Sequence, residues 1–231
     1  VPGGPAHVRR HLPRSLLTGS TRCTERAARE GGPVFCLHGV AGDFPWAHVR
    51  SPRLLPKGPG LGYNVRIPPS ARQTMQIPSD AQLREQAQAL GERLRAAHDT
   101  LVTAESCTGG WIAKCLTDIA GSSDWFDSGM VAYSYEAKQA LLGVRPQTLE
   151  QHGAVSRETV IEMVSGALVN SGASVAVAVT GIAGPGGGSA DKPVGTVWVA
   201  WKRRGGYARA QAFQFDGDRE AVRRQTVDRA L

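Results

Sequence analysis

The sequence predicts an α/β domain over residues 79–231, layered helix–sheet–helix around a mixed sheet and preceded by a low-order basic segment over 1–74. Three observations predict it. From Ser79 onward the helical and strand periods alternate, the pattern of helices packed on a sheet. Residues 174–180 are nearly all Val and Ala, the mark of a strand covered on both faces. Residues 195–201 and 208–215 read as a hairpin turning at Arg204-Gly205-Gly206, which makes the sheet mixed.

The elements follow in order. Ser79 is placed to cap a helix whose apolar positions are Leu83, Ala87, Leu90, Leu94 and Ala97. A short strand over 100–104 leads to a corner at Ser106. The next helix carries Trp111, Ile112, Cys115, Leu116 and Ile119, and Gly121 stops it. A strand over 130–134 precedes a helix over 136–142. Ser156 caps a helix with Val160, Ile161, Val164, Ala167 and Leu168 on one face, ended by Asn170-Ser171-Gly172. A last amphipathic helix runs over 218–231, with Asp218 as its cap.

Charge is unevenly spread. Eleven of the 27 Lys and Arg lie before Met75 against three acidic residues, whereas the remaining 157 residues carry 16 basic and 17 acidic side chains. The overall charge of +7 thus belongs to the first segment, and a nucleic-acid reading of the whole chain averages over two unlike parts. Ten of the 14 prolines also precede Met75 and break every apolar run there. Such a segment buries too little apolar surface to offset its chain entropy. A disordered tail, a binding arm and sequence translated from upstream of Met75 all fit it, and the third is favoured. It has neither a signal-peptide core nor a membrane span. Cys23, Cys36, Cys107 and Cys115 form no CxxC pair or zinc spacing, so reduced thiols and a cytoplasmic location are expected.

Two runs carry chemistry. In Thr103-Ala104-Glu105-Ser106-Cys107-Thr108-Gly109-Gly110 the corner places Ser106 near unpaired N–H groups and a positive helix end, which suit an oxyanion; a turn of small residues is the plainer reading. A nucleophilic serine needs a base. His98 and His152, in a helix end and a loop, have nothing tying them to Ser106. Tyr133 and Lys138 are nearer candidates, since a lysine in an apolar pocket loses proton affinity; otherwise they are a half-buried strand residue and a solvated helix lysine. Cys107 is a rival nucleophile, but adjacent residues on an extended turn point apart and Cys107 is expected to pack. The second run, Thr180-Gly181-Ile182-Ala183-Gly184-Pro185-Gly186-Gly187-Gly188, follows the buried strand. A glycine-rich loop at a strand's carboxyl end suits a phosphate, though this one is neither a P-loop nor a dinucleotide fingerprint. Arg219 could reach a phosphate or carboxylate, while Arg223, Arg224 and Arg229 read as an exposed basic face.

Together these runs resemble the C-terminal domain family of the competence/damage-inducible protein CinA. The likeness rests on 104–110, Gly121-Ser122-Ser123 to Phe126, Tyr133 with Glu136-Ala137-Lys138, and Gly153-Ala154-Val155-Ser156. It continues through 178–188, Lys192-Pro193-Val194-Gly195-Thr196-Val197 and Gly217-Asp218-Arg219. It covers about residues 82–231 and not the first 74. The resemblance implies hydrolysis of the carboxamide of nicotinamide mononucleotide to nicotinate mononucleotide and ammonia, without metal or cofactor. It implies a small-molecule nucleotide as partner, no nucleic acid or membrane, and a homodimer. By motif position it makes Ser106 the nucleophile and Lys138 and Tyr133 its acid–base partners. Cys107, Thr108, Gly109, Gly110, Thr180, Gly181, Gly184, Gly186 and Arg219 fall in the substrate site. The chain departs from the family at Tyr135, where asparagine is common; if that position touches substrate, the bulkier ring narrows the pocket.

Overall fold

A five-stranded sheet forms the middle layer of the domain. The structure is a computed structural model and describes residues 77–231; the expectations for 1–74, with Cys23 and Cys36, lie outside the described residues.

α1 (Asp80–Ala96) begins at Ser79, whose hydroxyl accepts the Gln82 N–H while the Gln82 side chain accepts the Ser79 N–H, a reciprocal cap. It buries Leu83, Ala87, Gly91 and Leu94. β1 (Leu101–Glu105) is wholly buried. α2 (Trp111–Thr117) stops earlier than expected, its end tightening as the Ile119 N–H bonds to the Leu116 carbonyl at 3.3 Å; Gly121, at φ +75°, instead opens a 3-10 turn over Ser122–Asp124. β2 (Phe126–Val131) lies several residues before the expected strand. It is an edge strand with alternating half-exposed residues, so the apolar run that suggested 130–134 lies mostly beyond its pairing.

α3 (Tyr135–Leu142) starts at Ser134, whose hydroxyl accepts the Ala137 N–H. α4 (Pro146–His152) was not anticipated; it buries only Thr148 and Leu149, and His152 is its last residue rather than part of a loop. α5 (Arg157–Val169) begins at the expected Ser156 cap. β3 (Val175–Gly181), β4 (Thr196–Arg203) and β5 (Arg209–Gln214) follow, and α6 (Arg219–Ala230) is capped by Asp218, which accepts the Ala221 N–H at 2.9 Å.

β1 pairs in parallel with both β2 and β3, while β3–β4 and β4–β5 are antiparallel, so the sheet is mixed as predicted. One core joins Leu83, Leu94, Ile112, Leu116 and Val222 to Val177, Val179, Val197 and Val199, placing α1, α2 and α6 on one face. On the other face Val102, Ala104, Ala176 and Ala178 meet Leu142, Leu149, Met163 and Val164 of α3, α4 and α5. The three layers form a single α/β domain, and α2 and α3 leave neighbouring parallel strands toward opposite faces. In open sheets the crevice at such a divergence, beyond the carboxyl ends of the strands, is where ligands bind.

Candidate active site

The register brings three strand ends to one level. Glu105 pairs with Val131 on β2 and with Val179 on β3, so the residues that follow each of them emerge side by side. Ser106 continues β1 by one residue, its N–H donating to the Val179 carbonyl at 3.1 Å. Its side chain is nearly enclosed, at 8% exposure. From the other face α3 returns Lys138 beneath this corner, and Lys138 Nζ lies 2.9 Å from Ser106 Oγ. Nζ also donates to the carbonyls of Ala132 at 2.8 Å and Tyr133 at 3.3 Å. Lys138 is 1% exposed and has no carboxylate partner among the described residues, so burial lowers its pKa below the ordinary lysine range.

Tyr133 lies just past β2, with its side chain at the rim. Only its main-chain carbonyl meets Lys138; its hydroxyl accepts a bond from Arg219 Nη2 at 2.9 Å, and the ring is exposed. Arg219 also donates to the Gly184 carbonyl at 2.8 Å, joining α6, the glycine-rich loop and the β2–α3 connection at the rim. Neither histidine hydrogen-bonds Ser106: His98 lies in the connection to β1, and His152 lies 3.8 Å from Glu158.

The turn after Ser106 corrects the expectation of an open helix end. Its N-terminal donors are occupied by Glu105, a fully buried carboxylate that accepts Gly110 N–H at 3.0 Å, Ile112 N–H at 3.0 Å, Ala113 N–H at 2.8 Å and the Thr108 hydroxyl at 2.6 Å. An anion complements a helix N-terminus, and here the protein supplies its own. Gly109 N–H closes the turn on the Ser106 carbonyl at 3.1 Å. The N–H groups of Cys107 and Thr108 are left without a bond to any other described residue. Cys107 packs in the core as expected, and burial pushes its thiol up to about 12, far from a thiolate.

The glycine-rich segment divides. Thr180 is buried and its hydroxyl donates to the Ala154 carbonyl at 2.8 Å. A Cβ on Gly181 would come within 2.6 Å of Val197, so that glycine lets β3 approach β4. Gly184 offers its carbonyl to Arg219, and Gly186 faces open space. Tyr135 accepts the Ala154 N–H at 3.3 Å, tying α3 to the same connection as Thr180.

Sequence reasoning missed Glu105 and Arg223. Arg223 is not part of an exposed basic face: it donates to the carbonyls of Cys107 at 3.1 Å and Thr108 at 2.7 Å and lies over the Trp111 ring. Arg224, likewise largely covered, pairs with Asp80 and Glu220. The spacing of Arg219 and Arg223, one helical turn apart, placed both on one face and was the available signal.

Comparison with known proteins places the chain in a family. The family model of the CinA C-terminal domain matches residues 83–231. The chain is 53% identical over 153 residues to the nicotinamide-nucleotide amidohydrolase PncC of Escherichia coli K12, covering 66% of this chain and 93% of that one. It is 56% identical over 142 residues to the PncC of Pseudomonas putida, covering 62% and 88%. Among solved structures, the competence/damage inducible protein CihA of Agrobacterium tumefaciens aligns with a TM-score of 0.64 at 47% identity, over 68% of this chain and 94% of that chain. On the family match, the chain belongs to the CinA C-terminal domain family.

Proposed function

We propose that this chain is an amidohydrolase that converts nicotinamide mononucleotide to nicotinate mononucleotide and ammonia, with Ser106 as nucleophile and Lys138 as its base. The observation that carries the reading is the 2.9 Å approach of Lys138 Nζ to Ser106 Oγ inside a pocket that disfavours the ammonium. The substrate comes from the names of the relatives, nicotinamide-nucleotide amidohydrolases more than half identical to this chain over the shared domain.

In the first half-reaction Lys138 takes the Ser106 proton as Oγ attacks the carboxamide carbon. The resulting oxyanion is met by the N–H groups of Cys107 and Thr108, since those of Gly109 and Gly110 are already bonded within the turn. One such donor is worth roughly 3–4 kcal/mol in other hydrolases. Lys138 then returns its proton to the departing nitrogen, which leaves as ammonia, and Ser106 holds the acyl group. Water, deprotonated by the same amine, cleaves that ester and restores Ser106. Tyr133 reaches the leaving group or the sugar only from the rim, through a hydroxyl held by Arg219. Arg219 and the open glycines around Gly186 are the groups available to the phosphate.

Cytoplasmic action and a homodimer complete the proposal. No helix among the described residues is long and apolar enough to cross a membrane. Ammonia release from nicotinamide mononucleotide by the purified chain tests the function. We expect turnover that Ser106→Ala abolishes while the melting temperature is retained. Binding of the nucleotide with no ammonia at any concentration would instead make the domain a nucleotide-binding module.

A further inference from the structure

Arg223 spends its charge on main-chain oxygens. Among the described residues it meets no carboxylate; its Nε and Nη2 donate to the carbonyls of Cys107 and Thr108, and its Cζ lies 5.1 Å from the Trp111 ring centroid. The geometry of one peptide gives this a consequence. In a planar trans peptide the C=O and the following N–H point in opposite directions. A guanidinium that draws the Cys107 carbonyl toward α6 therefore turns the Thr108 N–H away from α6. That N–H is one of the two in the turn that bond to no other described residue.

The Cys107–Thr108 peptide turns about Cys107 ψ and Thr108 φ, and the guanidinium bond to the Cys107 carbonyl fixes its orientation. A flip of the Cys107–Thr108 peptide would present a carbonyl oxygen where the donor now stands, and two like dipoles would repel an oxyanion. Glu105 restrains the far side of the turn through the Thr108 hydroxyl and Gly110 N–H, and Arg223 restrains the near side. A charged donor on the carbonyl also polarises the amide and strengthens its N–H as a donor.

We propose that Arg223 is a positioning residue for the amide hydrolysis: it locks the Cys107–Thr108 peptide so that the Thr108 N–H is available to the oxyanion, and it touches no reacting atom. The inference rests on Ser106 being the nucleophile. Loss of one oxyanion donor lowers kcat by about 10²–10³ elsewhere, and release of its orientation in Arg223→Ala should cost roughly a tenth of that or more. Three measurements separate this from a structural role. KM for nicotinamide mononucleotide should stay within about threefold, because the ground-state carbonyl gains little from the donor. The 3-formylpyridine mononucleotide should lose affinity by the factor lost in kcat. It mimics the tetrahedral state when Ser106 Oγ adds to its carbonyl carbon, the serine proton passing to Lys138 and the new oxygen keeping its negative charge. Millimolar guanidinium, able to lie on Trp111, should restore part of the Arg223→Ala rate and none of the rate of Ser106→Ala. Arg223→Lys keeps the charge but not the fork, so it should fall between wild type and Arg223→Ala.

Wild-type kcat in Arg223→Ala would overturn the inference. So would a loss that appears in KM and melting temperature with no guanidinium rescue and no change in aldehyde affinity. Ammonia release by Ser106→Ala would overturn the underlying reading first. An inactive Ser106→Ala beside a fully active Arg223→Ala removes the role of Arg223 alone.

Discussion

Burying a lysine without a carboxylate is costly, and Lys138 shows how the cost is limited and used. Two carbonyls and one hydroxyl surround Nζ, a set that serves a neutral amine as well as an ammonium. Protonation removes the base, so kcat/KM should fall as pH drops through the Lys138 titration, with a midpoint below the ordinary lysine range. Stability carries the same sign. Between the lowered native pKa and the ordinary unfolded one, the unfolded chain binds more protons, so stability rises with pH across that window. Urea melts over a pH series rising to the ordinary lysine range should show this rise in the wild type and a flatter profile in Lys138→Met. Glu105, also buried, is held by five donors, the hydroxyls of Thr103 and Thr108 and the N–H groups of Gly110, Ile112 and Ala113. Glu105→Gln turns an NH2 toward main-chain N–H groups and should cost about 1–3 kcal/mol in a denaturant melt, with kcat reduced as the turn loosens. The residues alone pointed to Ser106 and Lys138 only as candidates, and it was the resemblance to a family that joined them across 32 positions. Glu105 was passed over because a carboxylate ending a short strand gives no sign of which way it will point.

Lys138 is only as well placed as α3, and α3 is set by its crossing with α5. A Cβ added to Gly166 would stand 1.7 Å from the Leu142 carbonyl oxygen, one turn beyond Lys138. Gly166→Ala must therefore push the two helices apart. We expect a loss of about 1–3 kcal/mol in a thermal or urea melt, together with a fall in kcat as Nζ leaves Ser106. An unchanged rate in a destabilised variant would show that the pair tolerates movement of α3. Elements with strong local signals were legible in the sequence. Ser79, Ser156 and Asp218 each accept the N–H three residues on, the short-range bond their side chains were expected to make. β3 was legible because burial on both faces demands an unbroken Val and Ala run. β2 slipped because an edge strand has one half-wet side, and α4 was invisible because two buried residues make no periodic stripe.

At the scale of the molecule, the parallel strands β1, β2 and β3 deliver Ser106, Ala132 and Thr180 to one level while the α2 and α3 connections diverge. That arrangement, rather than any single motif, makes a hydroxyl from one strand end and an amine from the opposite layer meet. Alternating periods were sufficient to foresee the layers, since each buried face needs a partner of matching area. They could not foresee that Arg223, one turn into α6, reaches across to the corner, because contacts between distant segments leave no mark on local pattern. The central claim is that Ser106 and Lys138 act as one catalytic unit. Steady-state ammonia release from nicotinamide mononucleotide by Ser106→Ala, Lys138→Met and the double variant tests it most directly. If the account holds, each single substitution loses nearly all of the rate and the double variant is no slower than either, as for groups that work together. Losses that multiply, or a Lys138→Met enzyme near the wild-type rate, would contradict it.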